Sequence, residues 1–467
     1  MRIHLRGLTG STCALVAALG LAATMAATAQ QATGCKPGTR CLTVQANGTP
    51  GTGFTAQCTG TFPDFIMQST QLPPAGGPWF VLSQNFPATA PTGDAPWLAI
   101  DFKNGVSGAN AYLKALRDYA FEGMIAADFR PENNAVRKWF HMPLMNYGDP
   151  RREPIHGLTS ERPIDGPELG IKQGITIHNY AIGFYNAAGG TTIGNVWKTG
   201  SPDVTKSRFP QGTMTFKILF SDAKPTDFTN GDLMAGAPQW TIMTPSGAKT
   251  VRLLQMDVAA TDSRSPTGWV YGTYAFDSAA TDNPAWLRLR PVGLSWGNDP
   301  GFTPADQQAG KQLKESTISD QIPAYAKAHL GWAGRTNGPV DNPISGCLSC
   351  HGTAQYQRVA DLAPFNASCN TDAEKLYWFR NFPGTQAFGA MTKSTCTPTT
   401  VTPAPTSLDF SLQMQVAVVN MLGTDSAGTN KMTNPCAPPA PVPMATKTLA
   451  PKGAAPADVQ GSGPVQR

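Results

Sequence analysis

The sequence predicts a multi-domain chain: an antiparallel β-sandwich-like N-terminal domain followed by a small all-α C-terminal domain. Three observations carry that expectation. From about residue 136 to 297 apolar and polar residues alternate at period two, as in strands with one buried face. After about 300 the pattern changes to helix-start signals. A chain of 467 residues also exceeds what one core usually serves. The boundaries read as a signal peptide over 1–29, a loop-rich cysteine-containing lead-in over 30–90, the β-rich domain over 91–299, the C-terminal domain over 300–435 and a disordered tail over 436–467.

The leader carries Arg2 and Arg6, an apolar run from about Cys13 to Ala27, and the small-residue pattern Ala27-Thr28-Ala29. That is the layout of a secretory signal, with cleavage expected before Gln30 and a periplasmic address. The run is too short and alanine-rich for a membrane span, so no transmembrane segment is expected after cleavage. The formal net charge is +5, and Arg2 and Arg6 supply two of those charges. With no dense Lys/Arg run, nucleic acid is not an expected partner.

Gly, Pro, Thr and Ser dominate 30–90, which reads as loop held by cysteines. Helical spacing over 107–125 puts Leu113, Leu116, Ala120 and Met124 on one face, with Ser107 as a cap. Strands follow: Tyr180, Ile182 and Phe184; then Met214, Phe216, Ile218 and Phe220 alternating with Thr215 and Lys217. Leu254, Met256 and Val258 continue the period, as do Trp269, Tyr271 and Thr273 before Phe276. Between the first two strands Ala188-Gly189-Gly190 reads as a turn. Repeated short strands with Gly/Pro turns argue for an antiparallel sandwich or barrel-like domain. Trp139, Trp197, Trp240, Trp269, Trp286 and Trp296 are expected to fill its core, with a platform for flat ligands as the rival. The segment from Asp149 to His156 reads as a solvated polar loop, and Trp296 to Pro300 as a domain junction. The region holds no phosphate loop, no Gly-x-Ser-x-Gly and no His-Glu-x-x-His.

Beyond 300, Thr303-Pro304 with Asp306 starts a helix, and Thr371 with Glu374 forms a capping box. A last helix spans about Ser407 to Leu422 with Leu408, Leu412, Gln415 and Val419 on one stripe and Phe410, Met414, Ala417 and Met421 on another, which fits a packed interior. Six cysteines outside the leader and the motif described next, Cys35, Cys41, Cys58, Cys369, Cys396 and Cys436, suit an oxidising compartment. At least one bridge is expected within the first three and one within the last three.

The chemistry centres on Cys347-Leu348-Ser349-Cys350-His351. Two thiols separated by two residues can each form a thioether to a haem vinyl group, and the following imidazole then lies under the iron. A zinc site would need further ligands, and no second Cys-x-x-Cys or close His pair supplies them. A thioredoxin-like pair would need a βαβ setting, whereas loop surrounds this motif.

With that motif, the intervening short helix, a methionine ahead of the last helix and the closing helix itself, 300–435 resembles a mono-haem c-type cytochrome domain of the class I kind. The resemblance implies one covalent haem c on Cys347 and Cys350, His351 as proximal iron ligand and Met391 as sixth ligand. Met414, Met421 and His329 are the alternatives, while His141, His156 and His178 read as structural. A thioether opposite histidine favours Fe(II) and suits electron transfer. The amphipathic helix usual before the motif is missing, because Pro339 and Pro343 interrupt it.

Three functions compete. The first is an exported mono-haem cytochrome passing single electrons between redox partner proteins, with the β-rich half as accessory or docking domain. The second is a haem-dependent oxidoreductase whose β domain binds a substrate. The third is a carbohydrate- or ligand-binding module with a redox accessory.

Overall fold

A computed structural model describes residues 40–44, 54–58, 63–66 and 80–428, apart from 83, 146–151, 200, 245, 365–368, 393–395 and 426. The leader, Cys35, Cys436 and the tail lie outside the described residues, as do the side chains of Cys41 and Cys58.

One eight-stranded antiparallel sheet organises the chain. Its strands are β1 (Thr159–Ser160), β2 (Asn179–Tyr185), β3 (Met214–Ser221), β4 (Gln239–Thr244), β5 (Gly247–Thr261), β6 (Trp269–Phe276), β7 (Leu289–Ser295) and β8 (Ser316–Ile318). The spatial order is β8-β7-β6-β5-β3-β2-β1, and β4 forms a hairpin with the first half of β5. The period-two reading holds along the first half of β3, whereas β6 is buried at every position. Met214, Phe216 and Ile218 of β3 and Met256 and Val258 of β5 point to one face and are fully or almost fully buried.

That face is covered by α1 (Gly105–Phe121), which lays Leu113, Leu116 and Ala120 on the sheet as the helical spacing predicted. The approach is close: a Cβ on Gly272 of β6 would sit 2.3 Å from Leu113 Cδ2. Asn104 caps the helix in place of Ser107, whose hydroxyl instead donates to the Asn104 carbonyl at 3.3 Å. All six tryptophans are buried, so they fill the core and form no surface platform. The turn read at Ala188-Gly189-Gly190 is instead α2 (Ala187–Val196), capped by Asn186 accepting from Gly189 N. Its glycines allow close packing, since a Cβ on Gly190 would meet the Phe140 ring at 2.7 Å.

The expected fold class is wrong on both counts. Among the described residues no second sheet packs on the first to make a sandwich; helices and loops cover its two faces. Nor is there a small all-α, cytochrome c-like C-terminal domain. Among the described residues within 300–425 the α-helices are Pro304–Gln308, Ala324–Lys327, α3 (Cys347–His351), Asp372–Lys375 and α4 (Leu412–Leu422), and only α4 exceeds five residues. β8 adds an edge to the main sheet, and one apolar cluster joins Tyr185, Phe209, Trp269 and Tyr271 to Leu348, Phe379 and Met414. The physical reason is length. Helices of four or five residues cannot bury a face by themselves, so this region borrows the second face of the sheet as its floor.

The local cap readings survive. Thr303 and Asp306 form a capping box, as do Thr371 and Glu374. α4 begins at Leu412 because the Ser411 hydroxyl accepts from Met414 N at 3.1 Å. A disulfide joins Cys369 to Cys396 with Cα atoms 5.4 Å apart, as expected for that group. Trp296 to Pro300 is tied down firmly: Asn298 donates to the Arg380 carbonyl and Asp299 accepts from Glu315 N. Among the described residues no helix is long and apolar enough to cross a membrane.

Candidate functional site

The motif forms the one-turn helix α3, started by Gly346, whose N–H donates to Ser349 Oγ at 2.9 Å. No amphipathic helix precedes it. The preceding loop is held instead by Arg335, which is 3 % exposed and donates to the carbonyls of Asn298, Trp332, Asp299 and Phe302 at 2.8–3.0 Å. Five N–H donors in a rigid fork let one side chain organise a loop that has little regular backbone bonding. Cys347 N then donates to the Thr336 carbonyl at 3.2 Å, fixing where the turn begins.

His351 Nδ1 lies 3.0 Å from the Phe410 carbonyl, to which Tyr271 Oη also donates at 3.0 Å. An Nδ1–H donor leaves the lone pair on Nε2, the tautomer required of an axial imidazole. The carbonyl is itself positioned. Asp409 and Phe410 both have left-handed backbone, with φ of 49° and 62°. Asp409 accepts from Phe209 N at 2.7 Å and Trp269 Nε1 at 2.9 Å, so the sheet holds this turn in place. The Tyr271 ring lies 4.5 Å from the imidazole. Burial keeps His351 neutral, lowering it to about 4 against the opposing bond to Phe410.

Cys347 and Cys350 are free thiols, half-buried on the same turn. Burial pushes Cys350 up to about 12 and Cys347 well above its ordinary value, so both are protonated at neutral pH. Beside them the sheet presents charge. Lys217 of β3 lies directly across from Asp257 of β5, with Nζ 3.3 Å from the carboxylate. Asp257 also accepts from Thr273 Oγ1 at 2.6 Å and from Gln255 Nε2 at 2.9 Å. The same Gln255 nitrogen reaches Asp341 at 3.2 Å. Burial opposes the charge on Lys217, but Glu161, Asp257 and Asp341 together hold it protonated above its usual range. Lys217 and Asp257 retain 27 % and 24 % side-chain exposure although protein surrounds them, which makes this the lining of a cleft rather than a packed core.

The donor set fits a covalently bound haem: two reduced thiols and an imidazole whose Nδ1 is engaged, on one turn, beside the partly exposed Lys217–Asp257 pair. Among the described residues no group of three His, Cys, Asp or Glu side chains converges to hold a metal ion without such a group. Met391, in the short strand Ala390–Thr392, and Met414 of α4 share the apolar cluster that contains Leu348 of the motif. His329 drops out as an alternative ligand, since Nδ1 faces the Tyr325 carbonyl at 2.7 Å and Nε2 accepts from Leu169 N.

Sequence reasoning missed Lys217, Gln255, Asp257 and Asp341. Their signal was present only as polar residues on the non-core side of good strands and one acid in a Gly/Pro loop. The expectation of a solvated loop at Asp149–His156 also fails for the described part. Arg152, Glu153 and His156 are buried, with His156 stacked on Trp240 at 3.8 Å and bonded to Asp128 at 3.1 Å. Both ring nitrogens face carboxylates there, so the cluster reads as structural. A separate cleft of about 580 Å³ opens along β8, lined by Phe302, Gln307, Lys311 and Ile318 and by no Cys or His.

The chain matches no family model, no curated protein and no solved structure.

Proposed function

We propose that this chain is an exported, periplasmic c-type haem protein that passes single electrons between redox partner proteins. One haem c is held by thioethers at Cys347 and Cys350, with His351 as proximal iron ligand and Met391 as the candidate sixth ligand. The observation that carries the reading is the His351–Phe410 bond, which engages Nδ1 and so reserves the Nε2 lone pair, on the same turn as two free thiols. The haem supplies a reversible one-electron change; the chain's residues do the rest. Tyr271 and Asp409 hold the Phe410 carbonyl, the carbonyl holds the imidazole, and Arg335 holds the loop that presents both cysteines. In this reading the β-rich half, as accessory or docking domain, also lends Lys217 and Asp257 to one side of the site.

A second reading, a haem-dependent oxidoreductase acting on a small substrate, is favoured by the Lys217–Asp257–Asp341 wall, because charged groups near an iron can orient a ligand and move protons. Absorption spectra of oxidised and reduced protein, with carbon monoxide added, separate the two. A low-spin ferric spectrum with a methionine-to-iron band and no carbon monoxide response supports the carrier with Met391; loss of that band in Met391→Ala assigns the ligand. A high-spin or carbon monoxide-sensitive spectrum supports the oxidoreductase.

A further inference from the structure

Asp257 and Asp341 come from different parts of the chain yet share one donor. Gln255 is completely buried; its Oε1 accepts from Val340 N at 3.2 Å, which turns its amide nitrogen toward both acids. That nitrogen lies 2.9 and 3.0 Å from the two Asp257 oxygens and 3.2 Å from Asp341 Oδ2. Asp257 is otherwise well compensated, by the Thr273 hydroxyl and the Lys217 ammonium. Among the described residues Asp341 has only Gly338 N, at 3.0 Å, as a hydrogen-bond donor besides its share of Gln255. Two carboxylates sharing one donor in a poorly solvated cleft do not ionise equally, and the less compensated one keeps its proton longer. Both lie within electrostatic reach of the motif thiols.

Resting on the haem reading above, we propose that the Asp257–Gln255–Asp341 bridge takes up one proton with each electron the site accepts, so that the protein moves an electron and a proton together. As a one-electron donor is oxidised and the iron goes from ferric to ferrous, the site loses one positive charge. The Asp341 carboxylate then binds a proton from water, restoring the balance; on reoxidation both leave. The groups facing Asp341 are Lys217 and Asp257 from the sheet and Cys347 and Cys350 from α3. Arg162, paired with Glu168, holds the Asp341 backbone carbonyl and leaves its carboxylate free to respond. Burial first, then the Asp257 charge, raise Asp341 to about 6 against the opposing Lys217, which places the response near neutral pH.

The test is the midpoint potential of the purified holoprotein between pH 5 and 8, by spectroelectrochemistry. The expected wild-type result is a potential that falls as pH rises, approaching a tenfold change in the reduction constant per pH unit, about 59 mV for one electron. Asp341→Asn, which keeps the amide contact, should flatten the curve. Asp257→Asn removes the facing charge and should move the sloping region to lower pH, and it decides the matter if Asp341→Asn does not fold. A flat wild-type curve, an unchanged slope in Asp341→Asn or an unmoved slope in Asp257→Asn overturns the proposal while leaving the haem in place. Wild-type protein without a haem spectrum removes the haem reading itself.

Discussion

The two faces of the central sheet are built from the same strands and behave as different materials. Toward α1, β3 and β5 present Met214, Phe216, Met256 and Val258, and aromatic side chains such as Trp97, Tyr112 and Phe102 close the space completely. One residue along each strand, toward α3, the same β3 and β5 present Lys217 and Asp257, opposite each other and partly wet. The dry face stabilises the fold by burying area at roughly 25 cal/mol per Å². The other face keeps charge in a cleft, an arrangement that contributes little to stability and is retained where chemistry needs it. A period-two strand can therefore serve as scaffold and as site wall at once.

Acid should break the dry face first. His141 is fully buried between Phe80 and Phe184, and burial, with the Arg152 charge second, lowers it to about 3. The folded protein keeps it neutral while the unfolded chain protonates near 6.5, so stability is lost as pH falls from about 6.5 toward 3. The loss can reach about 5 kcal/mol at the lower limit. Relative to His141→Phe, wild type should lose stability in urea unfolding as pH falls across this range. Next in size, Leu116→Ala on α1 should cost about 2–5 kcal/mol by opening a cavity under the sheet, read as a fall in the urea midpoint.

The charged face should respond with the opposite sign. Because Asp341 is raised to about 6, the folded protein holds a proton that the unfolded chain releases near 4. Relative to Asp341→Asn, wild type should then lose stability as pH rises from about 4 to 6, by up to about 3 kcal/mol, read as the difference between their thermal melts. Smallest of all, Lys114→Ala removes an exposed ion pair to Asp118 on the solvent side of α1 and should change stability by less than about 0.5 kcal/mol.

What the sequence disclosed follows the same division. Alternation in 214–220 and helical spacing in 107–125 place Met214, Phe216, Ile218, Leu113, Leu116 and Ala120 correctly, because burial of apolar area is what those periods record. The caps at Thr303 and Thr371 were legible because they are local chemistry. The Cys347–His351 motif is legible because its residue types and spacing lie within five consecutive positions. Lys217 looked like a solvent-facing residue, since alternation says which side is apolar and not what covers the other. Asp341 lies in a Gly/Pro loop whose order comes from Arg335, through contacts with Asn298 and Asp299, 37 and 36 positions earlier. The all-α expectation failed for a related reason: cap signals mark where helices start, and most of these end within one turn.

The central claim is that two sulfurs of α3 hold a haem. Express the chain in cells that mature c-type cytochromes, denature the purified protein, extract it with acidified solvent and record its intact mass and pyridine haemochrome spectrum. The account predicts one haem retained per chain, lost when Cys347 and Cys350 are both replaced by Ser. A denatured wild-type chain carrying no haem would contradict it.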